Sequence, residues 1–142
     1  MHSHIEHHHC ENFILTCMDF RFRTAIENWA AEKGYTNDYD LISMAGAQKS
    51  IVDDDTRQGL LKQVKISTSL HNAKRVIIIA HRDCGAYGGS KSFSGWEEEL
   101  AKYTDELSVA EQQIKTHFPE VEIKKVVLNF DESGEVSFIE LK

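Results

Sequence analysis

Two short stretches of this sequence carry side chains able to hold a metal ion and activate water on it. The first is Cys17-Met18-Asp19-Phe20-Arg21 and the second is His81-Arg82-Asp83-Cys84-Gly85. Thiolate sulfur and imidazole nitrogen are donors that zinc prefers. Three protein donors leave a fourth tetrahedral position for water, as in catalytic zinc sites. Cys17, His81 and Cys84 make up such a set. Residue counts alone leave a blander reading open, because a His-x-x-Cys pair arises by chance and a cysteine ending a strand is commonly a small buried apolar residue. Asp19 and Arg21 lie two and four residues beyond Cys17. They can form an ion pair beside a metal, or a surface pair contributing under about 1 kcal/mol.

Both stretches follow segments that read as strands. Phe13-Ile14-Leu15-Thr16-Cys17 is a short apolar run, and Arg75-Val76-Ile77-Ile78-Ile79-Ala80 is β-branched on both faces, as a central parallel strand should be. Thr24 to Lys33 places Ile26, Trp29 and Ala30 at helical spacing, with Gly34 as the stop. Tyr39 to Ala45 reads as a further strand. A long helix is expected from about Asp54 to Asn72, with Leu60, Leu61, Val64 and Ile66 towards the core and Asp53, Asp54 and Asp55 complementing its dipole. Trp96 to His117 repeats Leu100, Tyr103, Leu107, Ala110 and Ile114 at helical spacing before Pro119. Lys125 to Phe130 and Glu135 to Leu141 read as strands joined by the turn Asp131-Glu132-Ser133-Gly134. Strands alternating with helices predict an α/β fold: a parallel sheet of about four strands flanked by helices, with an antiparallel C-terminal edge strand. In such a sheet ligands collect at the carboxyl ends of the strands, so the two loops can converge on one site.

The 142 residues fit one domain. Residues 1–12 read as a His-rich, mobile tail and 13–142 as a single zinc-binding α/β domain. A formal charge of −7 argues against nucleic acid, whose phosphate backbone needs a basic face. No apolar run approaches the ~18 residues that cross a bilayer, and the polar start, Met1 to Cys10, lacks the apolar core of a secretory signal. The expected compartment is the cytoplasm, where Cys10, Cys17 and Cys84 stay reduced.

The paired motifs Cys17-x-Asp19-x-Arg21 and His81-x-x-Cys84-Gly85 resemble the signature of the β-class carbonic anhydrases. The similarity spans most of the chain: Ala45-Gly46-Ala47 stands where that family has an Ala-Gly turn, and the final strand pair with Asp131 and Gly134 is similar to its closing hairpin. The resemblance implies Zn2+ held by Cys17, His81 and Cys84, and an Asp19–Arg21 catalytic pair. It implies reversible hydration of carbon dioxide to bicarbonate by zinc-bound hydroxide, and a homodimer or tetramer. Zinc lowers the pKa of bound water from about 15.7 to about 7. Two thiolate ligands weaken that effect, so an ionised Asp19 accepting the hydroxide's hydrogen bond is a useful companion, and an adjacent cation lowers an Asp pKa by about 1–3 units. The same Asp can also swing onto the metal in related proteins.

The sequence departs from the family in two places. Ser43-Met44 replaces its usual Arg-Asn ahead of Ala-Gly, and only sixteen residues precede Cys17, where the family commonly carries helices that pack across a dimer. Two alternatives therefore stand beside carbon dioxide hydration: hydrolysis of an analogue such as carbonyl sulfide or carbon disulfide on the same fold, and zinc binding without catalysis. A thiol redox role is disfavoured because Cys-x-x-Cys is missing. Asp83 can help the Asp19–Arg21 pair, orient a metal ligand or cap its turn. Gly85, Gly88 and Gly89 suit tight turns rather than a phosphate cradle. His71 and His117 read as surface or boundary residues. His2, His4, His7, His8 and His9 invite adventitious metal. Cys10, seven residues before Cys17, is within range of the active site and receives no role.

Overall fold

The computed structural model describes residues 8–142, so the expectation of a mobile tail lies, for residues 1–7, outside the described residues. The elements run β1 (Asn12–Thr16), α1 (Arg23–Glu32), β2 (Tyr39–Ser43), α2 (Lys49–Val52), α3 (Asp54–Leu70), β3 (Arg75–His81), α4 (Trp96–His117), β4 (Glu122–Phe130) and β5 (Val136–Leu141). They form one five-stranded sheet in the order β2-β1-β3-β4-β5. The first four strands are parallel, and β5 returns antiparallel against β4. This is the α/β architecture expected from the sequence. The Asp131–Gly134 turn is also as expected. Asp131 Oδ1 accepts from the Ser133 and Glu135 amides at 2.9 and 3.0 Å, and Gly134 supplies a φ of +86°.

The two faces of the sheet are written in the period-2 alternation of its strands. Phe13, Leu15, Val76, Ile78 and Ala80 point to the layer made by α2, α3 and α4, where they meet Leu60, Val64, Tyr103, Leu107 and Ile114. Ile14, Ile77, Ile79, Val126 and Leu128 point the other way, onto Phe22 and onto Ile26, Trp29 and Ala30 of α1. Burial on both faces explains why β3 has no polar alternation.

Ile66 is a correction: it is 38% exposed, while Ser67 is buried. A step of three from Val64 falls on residue 67, whereas Ile66 lies about 200° around the helix. The four-residue helix α2 and the short 3-10 turns at Phe20–Phe22, Gly85–Tyr87 and Ser90–Ser92 were not legible in the periodicity, being too short to show one.

From β1 the chain moves to β2 on one side, then crosses back to β3 on the other side of β1. The crevice between the carboxyl ends of β1 and β3 is thus the switch point of the sheet, where open α/β folds bind ligands. Ile78 is fully buried at the centre of this arrangement. Ile78→Ala should cost about 2–5 kcal/mol through the cavity it leaves, read as a lower urea midpoint at unchanged slope.

Candidate metal centre

Cys17 follows β1, His81 ends β3, and Cys84 closes the loop after β3. Pairing of Thr16 with Ile79 aligns the two strand ends, so the three side chains meet just beyond the sheet. Their parity differs. Cys17 is in phase with Phe13 and Leu15 and packs with the α3/α4 layer. His81 is in phase with Ile77 and Ile79, and its ring lies 4.8 Å from that of Phe22 on the α1 side.

One donor atom from each of Cys17, His81 and Cys84 lies within 4.8 Å of the others, and all three residues are buried. The two Sγ atoms are 4.0 Å apart, close to the ~3.8 Å that two thiolates span across a tetrahedral metal with ~2.3 Å bonds. His81 Nδ1 donates to the Arg82 carbonyl at 2.7 Å, which fixes the tautomer and leaves Nε2 its lone pair. That Nε2 is buried and has no hydrogen-bond partner among the described residues. A buried acceptor without a donor is costly, and a cation satisfies it. The donor set and its orientation therefore fit a divalent metal of the zinc class.

The thiols are electrostatically paired. Donation from the Cys84 thiol is the main effect that pulls the Cys17 pKa down, aided by His81 and the Gly46 amide. The resulting Cys17 thiolate and burial push Cys84 up. A cation between them removes that opposition, because it stabilises both thiolates at once. Gly46 N lies 3.4 Å from Cys17 Sγ. Its φ is +78°, and a Cβ there would sit 2.8 Å from Cβ of Lys49, so the turn admits only glycine without rearrangement.

Asp19 and Arg21 form a multiply hydrogen-bonded pair at the edge of the donor set. Arg21 Nη2 donates to Asp19 Oδ2 at 2.7 Å and Nε to Oδ1 at 3.0 Å, while the Arg21 amide donates to Oδ1 at 2.9 Å. Hydrogen bonds from Arg21 keep the Asp19 carboxyl below its usual pKa. Asp19 Oδ2 lies 3.8 Å from His81 Nε2, beside the candidate donor set and engaged by Arg21. Arg21 also reaches the second loop, donating to Asp83 Oδ2 at 3.1 Å and to the Asp83 carbonyl at 3.0 Å. Asp83 thus supports the Asp19–Arg21 pair and also caps its turn, its Oδ1 accepting from Ser90 N at 2.8 Å. Its φ of +61° is unusual for a residue with a side chain, and these bonds hold it there.

Glu99 escaped the sequence reading. It is 1% exposed, with Oε2 accepting from the Asp83 amide at 2.6 Å and the Tyr103 hydroxyl at 2.7 Å. Its Oε1 accepts from Ser90 Oγ at 2.7 Å. Beside Glu97 and Glu98 it looks like one more acid suiting the helix dipole, but it falls four residues before Tyr103, on the buried stripe of α4. That helical phase was the available signal. Arg23 was also missed: its Nη2 donates to the Cys17 carbonyl at 3.0 Å and to Thr16 Oγ1 at 2.9 Å. Cys10 is not at this centre. It precedes β1 and so stands at the opposite end of the strand.

A family model described as "Putative carbonic anhydrase" matches residues 7–140. An uncharacterized protein of Rickettsia bellii is 29% identical over 124 residues, covering 83% of this chain and 76% of its own length. One from Rickettsia conorii is 27% identical over the same length, covering 83% and 67%. Among solved structures, a carbonic anhydrase from Glaciozyma antarctica superposes with a TM-score of 0.56 at 21% identity, over 89% of this chain and 80% of the other. The β-carbonic anhydrase CafA of Aspergillus fumigatus gives 0.51 at 14% identity, over 92% and 76%. These two structures establish likeness of fold.

Removing the carboxylate in Glu99→Ala leaves the Asp83 amide and the Tyr103 hydroxyl without an acceptor. It should destabilise the fold by about 1–3 kcal/mol in urea melts. Divalent-metal affinity should fall about 10–100-fold in competition titrations, as loss of a group that orients a ligand loop does.

Proposed function

Because the chain belongs to this carbonic anhydrase family, we propose that it hydrates carbon dioxide reversibly to bicarbonate and a proton. In this reading Cys17, His81 and Cys84 hold Zn2+. The observation that carries it is the orphaned, tautomer-fixed His81 Nε2 facing two paired thiols in the switch-point crevice. Zinc, when bound by them, would supply a water acidified enough to act as a nucleophile at neutral pH.

The protein's own groups do the rest. Asp19 accepts a hydrogen bond from the attacking water at a carboxylate oxygen, which orients its lone pair at the substrate. Arg21 keeps Asp19 ionised and holds it away from ligation, since a carboxylate engaged three ways by a guanidinium and amide is poorly free to swing. Asp83 and Glu99 hold Arg21 and the Cys84 loop in place. Asp19, Arg21, Asp83, Gly85, Gly88 and Lys91 line an open pocket of ≈ 580 Å³, through which a small neutral substrate can enter.

A homodimer or tetramer belongs to the same reading. Phe20 and Met18, flanking Asp19, are 85% and 65% exposed, and a large apolar pair beside a pocket is the kind of surface that association covers. A sedimentation mass above one chain at micromolar concentration is expected, and Phe20→Glu should lower it. A mass of one chain in the parent protein would remove this part.

Metal content and stopped-flow hydration on the same zinc-replete sample test the function. The parent should carry zinc and hydrate carbon dioxide. Cys84→Ser should lose the zinc of this centre and the activity together. Asp19→Asn should keep zinc and lose turnover on the order of 10²-fold. Zinc retained at this centre in Cys84→Ser overturns the ligand set. Zinc without hydration in the parent moves the activity to an analogue such as carbonyl sulfide, or to zinc binding alone.

A further inference from the structure

A second group of metal donors lies at the amino-terminal end of the sheet, away from the strand-end centre. Cys10 precedes β1, Asp40 is the second residue of β2, and His71 caps α3. Seven residues of nearly extended chain, at about 3.3 Å each, separate Cys10 from Cys17 by roughly 20 Å. The two groups therefore share no ligand.

The three residues are brought together by the fold and by specific bonds. The Cys10 amide donates to the His71 carbonyl at 2.9 Å, which ties the start of the described chain to the end of α3. His71 Nδ1 sits 2.9 and 2.8 Å from the two Asp40 oxygens. The buried Ser67 hydroxyl donates to Asp40 Oδ2 at 2.6 Å and fixes the carboxylate's direction. A donor atom from each of Cys10, Asp40 and His71 lies within 4.8 Å of the others. An independent feature points to the same place: His8 and His9 join these three in lining a pocket of ≈ 170 Å³.

We propose that Cys10, Asp40 and His71 form a second site for a zinc-class divalent cation, with His8 or His9 supplying a further ligand. Sulfur and imidazole nitrogen beside one carboxylate is a zinc-type donor set, whereas calcium and magnesium call for oxygen throughout. Binding replaces the Cys10 thiol proton, released to solvent, and takes a lone pair from neutral imidazole without removing a ring proton. Burial and the Asp40 charge both oppose a free Cys10 thiolate, and a cation relieves both. The ion would fasten the segment before β1 to β2 and α3, so the site is a staple for the N-terminal segment rather than a second reaction centre. His2, His4 and His7 offer a rival explanation, adventitious binding by the histidine-rich start.

Zinc bound per full-length chain, measured by equilibrium dialysis and elemental analysis, separates these. The parent should hold about two equivalents and Cys84→Ser about one, because losing the strand-end centre leaves the second site intact. Adding Cys10→Ser to Cys84→Ser should remove that remaining equivalent, while replacing His2, His4 and His7 with Gln should not. Zinc should raise the melting temperature of Cys84→Ser, and Cys10→Ser should abolish the shift. If Cys84→Ser does not fold, Cys10→Ser in the parent reads the same step, from about two equivalents to about one. An unchanged count on Cys10→Ser, or a loss that follows the three tail histidines instead, overturns the site. Hydration activity plays no part in this count, so failure of the catalytic reading would leave it standing.

Discussion

Parallel pairing of β1 with β3, in the register that sets Thr16 against Ile79, is the constraint on which the candidate centre depends. Cys17 and Cys84 are 67 residues apart in the chain and 4.0 Å apart in space. Nothing local brings them together. The pairing does so only because β2 and β4 lie on opposite flanks, so the chain leaves β1 and β3 in opposite directions and opens a crevice between their ends. A slip of one residue would turn Ile77 and Ile79 to the wrong layer and carry His81 to the face of Cys17. The hydrophobic cores on the two faces therefore hold the three candidate donors in place as a by-product of holding the register.

Around that crevice the charged groups are arranged in a hierarchy of burial. Arg21 is the bridge, reaching Asp19 in its own loop and both the side chain and carbonyl of Asp83 in the other. Behind Asp83 stands Glu99, with each carboxylate oxygen occupied by donors. A buried carboxylate is tolerated when its hydrogen bonds are made, and here those bonds fix the loop that carries Cys84. Arg23 does the corresponding work for the Cys17 loop through its carbonyl. Each loop is held by a charged residue from a helix, Glu99 of α4 for the loop of Cys84 and Arg23 of α1 for the loop of Cys17.

The opposite end of the sheet has a different character. Cys10, Asp40 and His71 are drawn together by the starts of β1 and β2 and the end of α3, where the backbone itself converges. Strand ends at the carboxyl side face a crevice made by diverging connections. Strand starts at the amino side are tied there to the end of α3, through the Cys10 amide and the His71 carbonyl.

The sequence alone determined the alternation of strands and helices, because a 3.6-residue or two-residue apolar period is a local property. It also determined the donor types in the order Cys17, His81, Cys84, and the Asp131–Gly134 turn, because donor chemistry and turn geometry belong to single residues. Tertiary structure decided what depends on distant partners. Glu99 could be told from Glu97 and Glu98 only by its phase against Tyr103, and its three donors come from the loop after β3 and from its own helix. Ser67 took the core-facing place that hydrophobicity alone gives to Ile66, since helical angle outranks side-chain type. Cys10, close to Cys17 in the chain, ended at the far end of β1 because an extended strand of five residues separates its two ends as far as any element of that length can.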